Sequence, residues 1–270
     1  MSNYFFLVNV GDDINSYVSI SKFIPNLRGK SASEIDFKIA VYTQTVESLL
    51  WIKLDELYFM NNSNVEIRST DYKLSIGQIA VVIPCQTSLK LPKKVSDLPK
   101  PISRKIDSAP VSERATIGFE RLGAFSSYQG DYPYQMSLAK GTFLSFDPLF
   151  FQSDENIINK LILVNIFSKK LKEKPKLYLN IADSISKNKI NHEIFYNNSA
   201  AILEVSYSKE LSNVFYSKDC VGIPIYISYQ KNNTSNLSIE HAHPPSEFFY
   251  GDHKFLGQQA LKNKWLSLLK

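Results

Sequence analysis

Apolar and polar positions alternate with a period of two along most of this chain. Ile35, Phe37, Ile39 and Val41 interleave with Asp36, Lys38, Ala40 and Tyr42, the pattern of a strand with one face turned to a core. Similar segments lie near 4–10, 16–24, 35–43, 49–59, 64–69, 78–84 and 87–92. A second group lies near 114–121, 134–139, 142–147, 159–167, 176–182, 193–197, 201–207, 214–217, 222–229 and 236–241. Their β-branched and aromatic content and their spacing predict a mainly β protein built of sandwich-like layers.

Two interruptions of that pattern set the expected organisation. From Leu91 to Val111 the sequence carries four prolines, several basic residues and no periodicity, which reads as an interdomain linker. Two β-sandwich-like domains are therefore expected, 1–92 and 111–270, joined by 93–110. At the end of the chain the period changes. Leu256, Ala260, Leu261, Trp265, Leu268 and Leu269 recur at helical spacing from Phe255 onward, which predicts a short amphipathic C-terminal helix that covers the second domain or docks onto a partner as an oligomer contact.

Composition narrows the function more than it narrows the fold. In 270 residues, 44% are hydrophobic and 13% aromatic, enough for a packed core throughout. The ten glycines never gather, and neither G-x-G-x-x-G nor G-x-x-x-x-G-K-[ST] occurs, so dinucleotide and P-loop nucleotide binding are set aside. Cys85 and Cys220 stand far apart without a C-x-x-C and read as reduced, buried thiols. No apolar stretch reaches the length of a membrane span, and the first ten residues lack a basic region followed by a long apolar one. A cytoplasmic protein is the expectation. The net charge of +5 is uneven: residues 1–85 hold 7 Lys+Arg against 9 Asp+Glu, net −2, leaving 24 against 17, net +7, for the rest.

Two stretches carry candidate chemistry. Between Gly118 and Tyr134, aromatic residues sit among polar and turn-forming ones. Tyr128, Tyr132 and Tyr134, flanked by Gln129 and Asp131, are expected to form a loop platform on which a sugar or a protein ligand stacks while the polar groups bond its edge. Glu120, Asp131 and Asp147 also supply carboxylates of the kind a glycosidase uses. The second stretch places three of the four histidines in Glu240-His241-Ala-His243-Pro-Pro-Ser-Glu247, followed by Asp252-His253. On a strand, His-x-His puts both imidazoles on one face, and Glu247 or His253 can complete a site for zinc, iron or manganese. The same imidazoles, oriented by Glu240 or Asp252, suit acid–base catalysis.

His241, His243 and Glu247 also match the spacing of the first motif of the cupin barrels, and the stretch resembles it over seven positions. The glycines of that motif fall at Ser235 and at His253 or Lys254, so the family is not assigned. The lysine run from Lys169 to Lys176, with Lys93, Lys94, Lys100, Arg104 and Lys105 in the linker, is rich in Lys and poor in Arg, which disfavours nucleic acid as the partner. The function expected is a non-enzymatic binding or assembly protein with a carbohydrate or protein ligand at the loop face of the second domain. The alternative is a metal-dependent hydrolase or oxygenase with one divalent transition metal on His241, His243, Glu247 and His253.

Overall fold

The structure is a computed structural model that describes residues 3–20, 37–44, 49–58, 65–102, 115–130, 132–134, 136–138, 142–146, 156–169, 176–183, 189–195, 200–204, 211–217, 223–231 and 235–241. These form eighteen strands, all paired antiparallel, in three sheets, with short 3-10 turns at Ser69–Tyr72 and Met136–Leu138. The chain is mainly β, as its alternation predicts. Among the described residues no helix is long and apolar enough to cross a membrane. The expected C-terminal helix lies outside the described residues.

The first sheet holds ten strands. Its spine runs β7 (Lys94–Val95), β4 (Trp51–Tyr58), β3 (Phe37–Gln44), β6 (Ile79–Gln86), β1 (Asn3–Gly11), β2 (Ile14–Ile20), β8 (Thr116–Arg121) and β9 (Ala124–Gln129). Off this path, β5 (Val65–Arg68) pairs with β2, and β10 (Tyr132–Pro133) pairs with β1. A second sheet has the order β11 (Thr142–Phe146), β16 (Leu211–Ser217), β13 (Lys176–Asp183), β14 (Lys189–Phe195). The third has the order β15 (Ala200–Glu204), β12 (Ile157–Val164), β17 (Ile223–Gln230), β18 (Ser238–His241).

Burial follows from position in the first sheet. Every residue of β3 is buried, and so is all of β6 but its last; central strands covered on both faces read as continuous apolar runs. Beyond β1, β2 alternates strictly between buried and half-buried. The buried cluster around Tyr4, Phe6, Ile39, Trp51 and Val82 continues without a break into Ile162, Val164, Ile225, Ile227 and Tyr229 of the third sheet. Gly77 joins the two sheets by backbone bonds, its N–H donating to the Asn9 carbonyl and its own carbonyl accepting from the Ala200 N–H, each at 2.8 Å. Its φ of +77° and an Ala200 oxygen 3.0 Å from where a Cβ would stand make glycine the residue that fits there.

The proline-rich segment expected to link two domains carries β7 and then a strap over one sheet face. Leu91, Leu98 and Ile102 are buried. The Tyr42 hydroxyl donates to the Pro92 carbonyl, the Tyr4 hydroxyl to the Pro99 carbonyl, and the Ile102 N–H to the Pro84 carbonyl. Beyond residue 110, β8 and β10 hydrogen-bond to β2 and β1. The first sheet thus draws strands from both sides of the predicted boundary. Proline and lysine hid this in the sequence, because a strap held by tyrosine hydroxyls and single backbone bonds leaves no period to read.

Where β1 and β2 separate, a serine takes over from the ladder. The two strands pair only at Asn9 with Asn15 and Gly11 with Ile14. At Val8 the N–H donates to Ser16 Oγ at 2.7 Å, and that hydroxyl donates back to the Val8 carbonyl at 2.8 Å. The Ser16 N–H is in turn satisfied by Ser69 Oγ at 3.0 Å. Ser16 is almost fully buried, so Ser16→Ala strands two backbone groups of Val8 away from water. The expected loss is about 2 kcal/mol of unfolding free energy, read from the shift of the urea midpoint at unchanged slope.

Candidate functional site

The outer face of β5, β2, β8 and β9 carries the most distinctive surface among the described residues. Register puts Arg68, Tyr17, Gly118 and Ser127 in one row across the four strands. Asn15, Glu120 and Phe125 form the next row, and Glu66, Ser19 and Thr116 the one on the other side, where Gln129 pairs with Thr116. These positions alternate with Val18, Ile117, Phe119 and Tyr128, which face the core.

The hairpin between β8 and β9 is the element the sequence reading missed. Leu122 and Gly123, with φ of 47° and 83°, make a two-residue turn with both residues left-handed, the form whose twist matches the flanking strands. Ala-Phe-Ser-Ser-Tyr-Gln was read as part of a turn-forming stretch because its serines blur the alternation. As a strand, it sends Tyr128 inward opposite Ile117 and leaves Phe125 57% exposed opposite Glu120.

Tyr17 is the centre of the face. Its phenol end lies across Gly118, where a methyl group would overlap the ring tip. The Phe125 ring meets it edge-on, with centres 6.4 Å apart and planes at 68°, a favoured geometry for aromatic pairs. The Arg68 guanidinium stands 5.7 Å from the Tyr17 ring centre. It reaches past β2 to donate from Nη1 to Glu120 Oε2, while Nη2 pairs with Glu66 Oε1. The Glu120 hydrogen bond foremost, and then that of Glu66, raises the Arg68 pKa above its ordinary value against the opposing effect of desolvation. Asp71 Oδ2 accepts the Arg68 backbone N–H at 3.1 Å. The result is two aromatic rings beside a cross-strand lattice of fixed donors and acceptors.

The residues expected to form the loop platform are placed differently. Tyr132 is fully buried and pairs with Tyr4 in the β10–β1 ladder; Tyr128 is buried beneath the face just described. Tyr134 is half-buried, its ring 6.0 Å from that of Tyr4 with Lys100 5.5 Å away. Gln129 ends β9, and Asp131 lies outside the described residues. Phe125 is the exposed ring of this neighbourhood, and Tyr17, half-buried like Tyr134, lies against it. Tyr17 was visible in the sequence only as an outward position of an alternating strand, and no period reveals which glycine it will lie across.

Of the histidine cluster, His241 closes β18 opposite Ile225. His243, Glu247 and His253 lie outside the described residues, as does Cys220. Among the described residues no three His, Cys, Asp or Glu side chains gather as metal ligands. Cys85 is a free, buried thiol whose pKa burial pushes up to about 12, which keeps it an unreactive thiol at neutral pH.

Two charged clusters belong to the core rather than to the face. In the first, the Lys38 and Lys53 ammoniums both pair with Glu56, at 2.9 and 2.7 Å. Lys53 also donates to the Leu91 carbonyl of the strap, and Lys38 lies 5.9 Å from the centre of the exposed Tyr58 ring. In the second, Asp12 in the β1–β2 turn receives both the Lys160 ammonium and the Tyr229 hydroxyl, the latter at 2.6 Å. The Arg121 guanidinium lies 4.3 Å from the Tyr229 ring centre. This second cluster ties the first sheet to the third.

No family model, curated protein or solved structure matches this chain.

Proposed function

We propose that this protein is a non-enzymatic carbohydrate-binding protein whose platform is the outer face of β5, β2, β8 and β9. The observation that carries the reading is the exposed Phe125 ring held against Tyr17 beside the Arg68, Glu66 and Glu120 lattice. A pyranose presents an apolar C–H face, which stacks on aromatic rings, and a rim of hydroxyls, which exchange hydrogen bonds with side chains already fixed in place. Both kinds of group stand side by side here. The platform also needs a rigid backing, and we infer that the first and third sheets face one another as layers of a sandwich, supported by the buried cluster they share.

The test is glycan binding by isothermal titration after an array has selected ligands, with wild type beside Phe125→Ala and Gly118→Ala. Losing one stacking ring weakens binding by roughly tenfold or more. Gly118→Ala is the sharper probe. The added methyl meets only the far end of the Tyr17 side chain, so the ring is lifted and re-aimed while the sheet stays paired. Weakened binding at a melting temperature within a few degrees of wild type is the expected result. A wild type that binds no glycan, or a glycan bound equally by Phe125→Ala, removes the reading.

A further inference from the structure

The charges on this face run against those of the chain as a whole. The protein carries a net +5, yet Arg68 is met by Glu66 and Glu120 through its guanidinium and by Asp71 through its backbone N–H. Among the described residues, two carboxylates share this one cation and a third accepts its backbone N–H. The other outward positions of β2, β8 and β9, Asn15, Ser19, Thr116 and Ser127 among them, are uncharged. Arg68 is the cation an acidic sugar would be expected to use, and its Nη1 and Nη2 each already pair with a carboxylate.

We propose that the platform selects uncharged and amino-bearing glycans and rejects those carrying carboxylate or sulfate groups; this rests on the carbohydrate reading above. A uronic acid stacked on Phe125 brings its carboxylate beside Glu120, whose partner Arg68 is already shared with Glu66. Neutral hydroxyls bond to those same carboxylates at no electrostatic cost, and an ammonium is attracted. One net negative charge at roughly 6 Å in near-water permittivity disfavours an anion by about threefold, an effect that salt weakens.

The experiment titrates the full chain with cellohexaose, the glucosamine hexamer and hexagalacturonate at low and at physiological salt. Wild type is compared with a Glu66→Gln/Glu120→Gln variant and with Phe125→Ala. The expected result is Phe125-dependent binding of the neutral or amino hexamer, with hexagalacturonate at least threefold weaker and the gap narrowing in the double variant and in salt. Hexagalacturonate bound as tightly as the neutral hexamer, and dependent on Phe125, overturns the selectivity while leaving the platform in place. Failure of all three to bind wild type overturns both. Thermal melting of each variant establishes that a lost signal is not lost folding.

Discussion

Glu56→Gln is expected to destabilise the protein by about 3 kcal/mol, the lower end of the range for removing one partner of a buried ion pair. The size follows from what is left behind. Lys38 is 5% exposed and sits in the fully buried strand β3, while Glu56 keeps 22% of its side chain in water. Without the carboxylate, Lys38 holds its ammonium in the core without its ion-pair partner. The hydrogen bonds from Lys53 and then Lys38 hold the Glu56 pKa down to about 2, below its ordinary 4.5. A carboxylate with a depressed folded-state pKa contributes stability that is present above its unfolded pKa and is lost as pH falls toward the folded one. The gap between wild type and Glu56→Gln should therefore be widest above pH 5 and close on acidification toward pH 2. Urea titrations at four or five pH values measure it, and a gap that does not change with pH would show that the pair contributes through shape rather than charge.

Asp12→Asn is expected to cost about 2 kcal/mol, and the cost should be strongly asymmetric between the two partners. Lys160 is 9% exposed and Arg121 is buried, whereas more than half of the Asp12 side chain faces water. Asparagine tolerates the left-handed φ of 52° at this turn position and keeps an acceptor for the Tyr229 hydroxyl. The substitution removes the charge and little else. It leaves the buried Lys160 ammonium without its carboxylate at the junction of the first and third sheets. Lys160→Met, by contrast, strands only a half-exposed carboxylate and should cost well under 1 kcal/mol, in keeping with the low worth of exposed charges. Adding Lys160→Met to Asp12→Asn should recover most of the loss, which a double-mutant cycle reads directly. The Lys160 hydrogen bond, followed by that of Tyr229, lowers the Asp12 pKa, so this contribution too fades on acidification.

Period-two alternation made the strand content legible. The segments read near 4–10, 35–43, 78–84 and 222–229 emerge as Asn3–Gly11, Phe37–Gln44, Ile79–Gln86 and Ile223–Gln230. Two kinds of information were not local and so could not be read. Pairing is one: nothing near Tyr132 says that it will lie opposite Tyr4, and both rings are apolar enough to look equally suited to a surface platform or a core. Diluted alternation is the other. In β9 two serines occupy successive positions between Phe125 and Tyr128, so neither face carries an apolar run. The expected site and the observed face accordingly share a hairpin but not their rings. The segment 87–92, read as a strand, is a turn leading into the strap, its Leu91 buried by tertiary contact rather than by sheet pairing.

The pairing of β10 with β1 also governs how the chain can be made. Asn3 and Tyr4 find their ladder partners at Pro133 and Tyr132, and β2 finds one of its neighbours at Thr116–Arg121. During synthesis these two strands leave the ribosome well before those partners, and the edges stay open until about a hundred further residues have followed. Such long closures fold slowly, and apolar edges left waiting are templates for aggregation. A fragment ending at residue 92 would keep those edges for good. These two strands are made long before they are finished.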